Sequence, residues 1–533
     1  MPQAVPDLVI RNARVFGDAA REASAVAVTG DRITALGPDA EASAGPGTRV
    51  VDAAGGLLLP GFQDVHAPFA GLNLGRVWLN DDHSRQAYLR RVADYAATHP
   101  GREWIVGGGW AMEHFPGGAP SKEDLDAVVP DRPVFLMNRD MHGAWANSRA
   151  LELGGITAAT PDPADGRYER GPDGTPTGAL HQGAAYGFDA RVVPRPDADA
   201  WREAVLAAQA HLHALGITGW QDAWVTPDSL AAYRELGMMG QLTARVVGAL
   251  WWDRHRGLEQ LDDLIEQRET GAANGFHPST VKIMADGVLE NFTGALLDPY
   301  CGCAAQHGTG LSYVDRELLL EAVPRLAAER FQMHLHAIGD RAVRDVLDAL
   351  EAAAPHDRDL RHTVAHLQLI HPDDLPRFAK LGVVANLQAY WAQHEPQMDE
   401  LTMPFLGPER AGRQYPFADL AASGARLAMG SDWSVTTADP LAQLEVAITR
   451  TDPARRGSEP FLPAQALDPQ TAITAFTAGS AYVNHDDDAG RIAVGARADL
   501  ALLDHDITRP GALPTDATVT LTVASGRVVH DRS

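Results

Sequence analysis

Eight times along the middle of the chain a strand-like apolar run is followed by a segment with helical apolar spacing. This alternation limits the fold more than any other feature of the sequence. The strand candidates are LLLPGFQD, ITGWQDAW, ARVVGALWW, TVKIMADG, QMHLHAIG, HTVAHLQLI, VVANLQAYW and RLAMGSDW. Between or after them lie seven clear amphipathic segments, among them WREAVLAAQAHLHALG and DRAVRDVLDALEAAA, and a weaker eighth within ERAGRQYPFADLAASG. Strands alternating with helices indicate a parallel α/β fold. Eight such units predict a (β/α)8 barrel, whose catalytic residues sit at the carboxyl ends of the strands.

The two ends of the chain differ from this body. DLVIRNARVF and DRITALG at the front, and ADLALLDHD and ATVTLTVASGRVVH at the back, are β-rich and bounded by turns. Each is too short to bury a face alone, so the ends are expected to pair into one small β domain. The predicted division is 1–58 and 485–533 for that domain and 59–484 for the barrel. A stretch from about Gly71 to Val192 interrupts the rhythm after the first strand and carries its own strand-like runs, WIVGGGW and PVFLMNRD. It is read as an insertion over the barrel mouth that shapes substrate access.

Charge narrows the partners. With 45 Lys and Arg against 70 Asp and Glu, the net charge of -25 disfavours nucleic acid or an anionic membrane. The start, MPQAVPDLVIRNARVF, has no basic segment leading into an apolar one, and no apolar run reaches about 18 residues. A cytoplasmic, soluble protein is expected.

Chemistry-bearing residues fall at the predicted strand ends. His66 follows the first strand, Lys282 lies in TVKIMADG, His366 closes HTVAH and Asp432 closes AMGSD. His334 and His336 have one residue between them in QMHLHAIGDRA; the expectation is that they point to opposite faces and that His336, nearer the strand's end, looks inward. A lone histidine at a strand end is more often hydrogen-bonded than metallated, but imidazoles and a carboxylate converging at one mouth suit zinc or a similar divalent ion. Lys282 has two readings. It pairs with Asp286, or its neutral amine adds carbon dioxide to form a carbamate able to bridge two metals. Trp110, Trp145, Trp251, Trp252, Trp391 and Trp433 are expected in the pocket wall, which would suit an apolar or aromatic amide.

In this order the residues resemble the amidohydrolase superfamily and, within it, amidohydrolase family 3, which includes the N-substituted formamide deformylases. The similarity covers nearly the whole chain: PGFQD with its histidine, RDMHGAWANSRAL, GTPTGAL, GITGWQDA, VKIMADG, HAIGDRAV, AHLQLIHPDDLPRF, MGSDWSV and GRIAVGARADLALLD. It implies a distorted (β/α)8 TIM-type barrel with a composite β domain from both termini. It implies metal ligands at His66, a carboxylated Lys282, His336, His366 and Asp432, with one or two divalent ions, zinc foremost. His142 in RDMHGAW becomes a substrate contact, beside Trp110 and Trp433, and a homodimer is the family-level expectation.

The implied reaction is cleavage of a non-peptide carbon–nitrogen bond in a small amide or formamide by metal-activated hydroxide. Asp432 would be the general base, passing the water's proton to the departing nitrogen. A deaminase or cyclic-amidase using the same site is the alternative. The family pattern also has a second histidine on strand one, in an HxH arrangement, where this chain reads His66, Ala67, Pro68. Either that imidazole is lost, or VHAPF matches the second histidine and the first is absent. A mononuclear enzyme, a binuclear one with a substitute ligand, and a catalytically silent relative are the outcomes this leaves.

Overall fold

Eight parallel strands form where the apolar runs predict them: β1 (Phe62–Asp64), β2 (Ile217–Val225), β3 (Arg245–Trp251), β4 (Phe276–Met284), β5 (Gln332–Ala337), β6 (Thr363–His366), β7 (Val384–Leu387) and β8 (Leu427–Met429). The structure is a computed structural model describing residues 5–17, 23–67, 76–356 and 359–532. Each strand pairs with the next in chain order, and the Val65 N–H donates to the Met429 carbonyl at 3.2 Å, bringing β1 back to β8. The result is a nearly closed (β/α)8 barrel.

Side chains alternate across each strand. On β4, Val281 and Ile283 are buried in the apolar layer shared with the helices, while Lys282 turns into the barrel. The helix Asp340–Ala353 supplies part of that layer through Val343, Val346, Leu347 and Leu350, spaced three and four apart. Helix starts are marked by side-chain caps: Asp197 accepts from the Ala200 N–H, and Thr226 and Ser229 cap each other's backbone. The weak eighth helix is the short Phe417–Ala422, anchored by Phe417 and Leu420.

LLLPGFQD, read as one strand, is two. Leu57–Pro60 belongs to a sheet outside the barrel and β1 starts only at Phe62. The break is at Gly61, where a Cβ would lie 2.4 Å from Thr218 Oγ1. Leu57–Pro60 pairs antiparallel with Leu500–Leu503 in a five-stranded sheet that also holds Arg14–Val15, Val519–Ala524 and Arg527–Asp531. A four-stranded sheet of Leu8–Arg11, Val26–Thr29, Arg32–Leu36 and Arg49–Asp52 lies in the same apolar cluster.

The segment after β1 is described from residue 76; Pro68 and the expected start near Gly71 lie outside the described residues. It has a six-stranded sheet of its own, built around Ile105–Trp110, Val134–Asn138, Gly143–Ala146 and Pro176–Gln182. Tyr88, Trp110, Phe115, Leu125 and Trp145 pack as one of its cores. No helix among the described residues is long and apolar enough to cross a membrane.

Candidate metal centre and cleft

The ends of β1, β5, β6 and β8 place four side chains together. His66 Nε2 is 3.3 Å from Asp432 Oδ1, the His66 and His366 rings are 4.6 Å apart, and the His366 and His336 rings 4.5 Å apart. His66, His366 and Asp432 each offer a ligand atom, all within 4.8 Å of one another. Lys282 reaches the same cavity from β4, is only 3% exposed, and its Nζ has no hydrogen-bond partner. Asp286 does not pair with it. That carboxylate takes the backbone N–H groups of Ala295 (2.8 Å), Ile338 (3.0 Å) and Gly339 (2.8 Å).

Electrostatics prepare these groups for a cation. Burial pushes the Lys282 amine down to about 7, against the upward pull of Asp432. Burial, helped by the charge of Lys282 for His66 and by His336 for His366, holds both imidazoles well below their ordinary range. They are therefore neutral near pH 7, with lone pairs to give.

The expected opposition of His334 and His336 is corrected by the strand itself. Residues two apart lie on the same face, so both imidazoles point into the barrel. His334 sits below, its Nε2 2.7 Å from His66 Nδ1 and its Nδ1 hydrogen-bonded to Gln221 Oε1. Proton positions along this chain follow from its far end. Gln332 Nε2 donates to the carbonyls of Arg361 and Val483, both at 2.8 Å, so Gln332 Oε1 is an acceptor, for Gln221 Nε2 at 3.0 Å. Gln221 must then present its oxygen to His334 Nδ1–H. Burial keeps His334 neutral, so its Nε2 accepts from His66 Nδ1–H. His66 is left with its Nε2 lone pair facing Asp432. His336 is oriented likewise: its Nε2 lies 3.1 Å from the Gly287 carbonyl and 3.4 Å from Asp286, freeing Nδ1.

Backbone contacts lock the strand ends. Asp64 Oδ1 accepts the N–H groups of His66 and Ser431, both at 3.0 Å, and the Asp432 N–H donates to the His66 carbonyl at 2.7 Å. Gly430 permits this approach, since a Cβ there would stand 2.5 Å from the His66 backbone nitrogen. The His366 N–H donates to Gln388 Oε1 at 2.6 Å, and Trp391 Nε1 to Asp432 Oδ2 at 3.3 Å.

A cleft of about 500 Å³ opens above His366 and Asp432, adjoining one of about 440 Å³ floored by His66 and Lys282. His142, from the insertion, lines both, its ring 5.6 Å from that of His336. Trp251 and Trp391 also face this space, with Trp224, Tyr186 and Tyr415, which the sequence reading did not single out. Four expected wall residues do not. Trp145 lies in the core of the insertion and Trp252 in the barrel's apolar layer. Trp110 is 2% exposed, packs against Phe115 and Trp145, and donates to the Leu136 carbonyl, because its strand faces the insertion's core. Trp433 turns away from the cleft and stacks on His211 of the helix Ala198–Ala214. Also missed were Gln221, which strand alternation alone would have turned inward, and three carboxyl groups of the cleft, Asp140, Glu290 and Glu395, which lie in loops without any spacing signal. Burial pushes Glu290 and Glu395 up to about 8 and Asp140 up to about 6.

Comparisons with known proteins match this architecture. The chain is 29% identical to Protein LONG AFTER FAR-RED 3 of Arabidopsis thaliana, over 99% of this chain and 92% of that one. It is 27% identical to the N-substituted formamide deformylase of Arthrobacter pascens, over 94% of each. Among solved structures, an uncharacterized metal-dependent hydrolase from Pyrococcus furiosus superposes with a TM-score of 0.70 at 25% identity, covering 94% of this chain and all of that one. The model of the amidohydrolase family matches residues 49–530, so the chain belongs to that family and is a metal-dependent hydrolase.

Proposed function

We propose that this protein hydrolyses a non-peptide carbon–nitrogen bond in a small amide, formamides foremost, using a divalent ion held by His66, His336, His366, Asp432 and Lys282. The observation that carries the reading is the buried Lys282 amine, without a hydrogen bond, among neutral imidazoles and a carboxylate. Such a donor set fits a cation, and mixed imidazole and carboxylate ligation favours zinc. When bound, the ion supplies Lewis acidity, polarising a carbonyl and lowering the pKa of water to about 7.

The protein's own groups do the rest. Asp432 takes the proton of the attacking water and passes it to the departing nitrogen, its Oδ2 steadied by Trp391 Nε1. Lys282, titrating near 7, offers a neutral amine. Nζ can add to carbon dioxide, forming an N–C bond and releasing a proton, and so become an anionic carbamate. His142 contacts the substrate from the insertion side. The trio His66, His366 and Asp432 supports a mononuclear site, consistent with proline at position 68. The deformylase relative supports formamides as the first substrates to screen.

Elemental analysis of the purified protein, before and after incubation with zinc and bicarbonate, tests the reading together with a screen for amine release from formamides. One ion per chain and amine release are expected. A protein that stays metal-free after reconstitution would sink it.

A further inference from the structure

The wall of the larger cleft carries three carboxyl groups besides Asp432. Asp140 comes from the insertion, Glu290 from the loop after β4 and Glu395 from the loop after β7, so three separate segments each bring a carboxyl group to one cavity. No lysine or arginine is among its described lining residues. Arg139, whose charge reaches Glu395, stands instead beside Glu113, at 3.9 Å. Glu290 is only 9% exposed, and Gln397 Nε2 holds its Oε1 at 2.6 Å. Trp391 and Tyr415 also line the wall, and aromatic rings can attract cations.

A second observation, independent of the carboxyl groups, points to the same kind of ligand. His142 is 8% exposed and its Nδ1 lies 3.0 Å from Gln182 Oε1. Gln182 Nε2 donates to Thr293 Oγ1 at 3.0 Å, and Thr293 Oγ1 donates onward to Asn291 Oδ1 at 2.5 Å, so the amide oxygen is the end that faces His142. Nδ1 then carries the proton. Nε2 keeps a lone pair that meets no donor among the described residues, while the ring lines the cavity. The cleft thus sets an imidazole lone pair beside three carboxyl groups.

We infer that the cleft selects amides whose remote end carries an ammonium or similar cationic donor group, seated against Asp140, Glu290 and Glu395, and that it rejects substrates bearing a carboxylate. This rests on the amide hydrolase reading above and names its substrate class. Burial raises Glu290 and Glu395 to about 8, so without a cation they hold their protons near neutral pH and an arriving ammonium ionises them with release of a proton. A charge-assisted hydrogen bond to a desolvated carboxylate discriminates by roughly 10- to 100-fold. A substrate carboxylate would find no lysine or arginine among the described lining residues and would face Asp140, ionised above about pH 6, in a poorly screened space.

The test uses metal-loaded enzyme and three formamides of matched length: N-formyl-1,5-diaminopentane, N-pentylformamide and N-formyl-6-aminohexanoate. Calorimetric binding of 1,5-diaminopentane and of hexanoate gives a readout separate from turnover. The ammonium-bearing formamide should be preferred by about tenfold or more in kcat/KM, and the diamine should bind at least about tenfold tighter than hexanoate. E290Q and E395Q, both isosteric, should each flatten these preferences. Equal binding of hexanoate and diamine, or cleavage of all three formamides at equal efficiency, would overturn the inference and leave the hydrolase reading standing. If no formamide is cleaved but the diamine preference is present and lost in E395Q, the amide reading falls and the cleft assignment stands.

Discussion

The floor of the site and the cleft above it are both polar and both buried, yet they are completed in opposite ways. In the floor, His66, His334, Gln221 and Gln332 form an unbroken series of donors and acceptors that ends on main-chain carbonyls. In the cleft, Asp140, Glu290 and Glu395 gather from three loops, and no lysine or arginine among the described residues lines the wall with them. A satisfied network on strands holds one geometry, whereas loop carboxyl groups with lone pairs to spare, Asp140 beyond the His142 N–H and Glu290 beyond the Gln397 amide, leave a place for a partner to fill. The comparison separates what holds the ion from what chooses the substrate.

Variants can break this division, and the floor should suffer most. Asp432→Asn removes the proton acceptor and should lower turnover by about 10²- to 10⁴-fold while metal stays bound, as elemental analysis of the variant would show. Retained activity would remove Asp432 from the base role. Lys282→Ala should lower metal content per chain and abolish any gain in metal on adding bicarbonate; unchanged stoichiometry would end the carbamate idea. One layer further down, His334→Ala leaves His66 Nδ1 unsupported and should weaken metal binding by about 10- to 100-fold in a chelator competition, with partial recovery in His334→Gln. Equal affinity in all three proteins would mean that the amide series does not orient His66.

The smallest effect belongs to the cleft and appears in stability against pH. Glu395 is raised to about 8 by burial and by Glu113, Glu290 and Asp452, with Arg139 opposing. A carboxyl group raised on folding stabilises most fully below its unfolded value near 4.5, and that contribution is lost as pH rises through about 8. The wild-type melting temperature should therefore fall relative to that of Glu395→Gln between pH 6 and 9, where thermal scans would compare them. Parallel curves would place Glu395 in a wetter setting than the cleft suggests.

Much of the barrel was legible because periodicity reports burial: eight apolar runs and their helices needed no other signal. LLLPGFQD misled because an apolar run does not reveal a sheet boundary at Gly61. At the site, strand ends brought His66, His366 and Asp432 together as their positions suggested, since the carboxyl ends of barrel strands share one face. His334 and His336, two apart on β5, share a face, so both enter the barrel against the expectation of opposite faces. Trp110 and Trp433 show a deeper limit, because residue type reports size and not which side of a loop faces the cleft. Asp140, Glu290 and Glu395 converge through loop paths that no spacing encodes.

The pairing of Leu57–Pro60 with Leu500–Leu503 has a consequence for biosynthesis. The two strands of that pair are several hundred residues apart, an interval of roughly tens of seconds of synthesis at about 5–20 residues per second. Throughout that time an apolar edge next to β1 stays open. The barrel's first strand, which leads into His66, is therefore sealed on its outer flank only after all eight barrel strands have been made, and a nascent chain stalled before Leu500 would expose a sticky edge for quality-control factors to recognise.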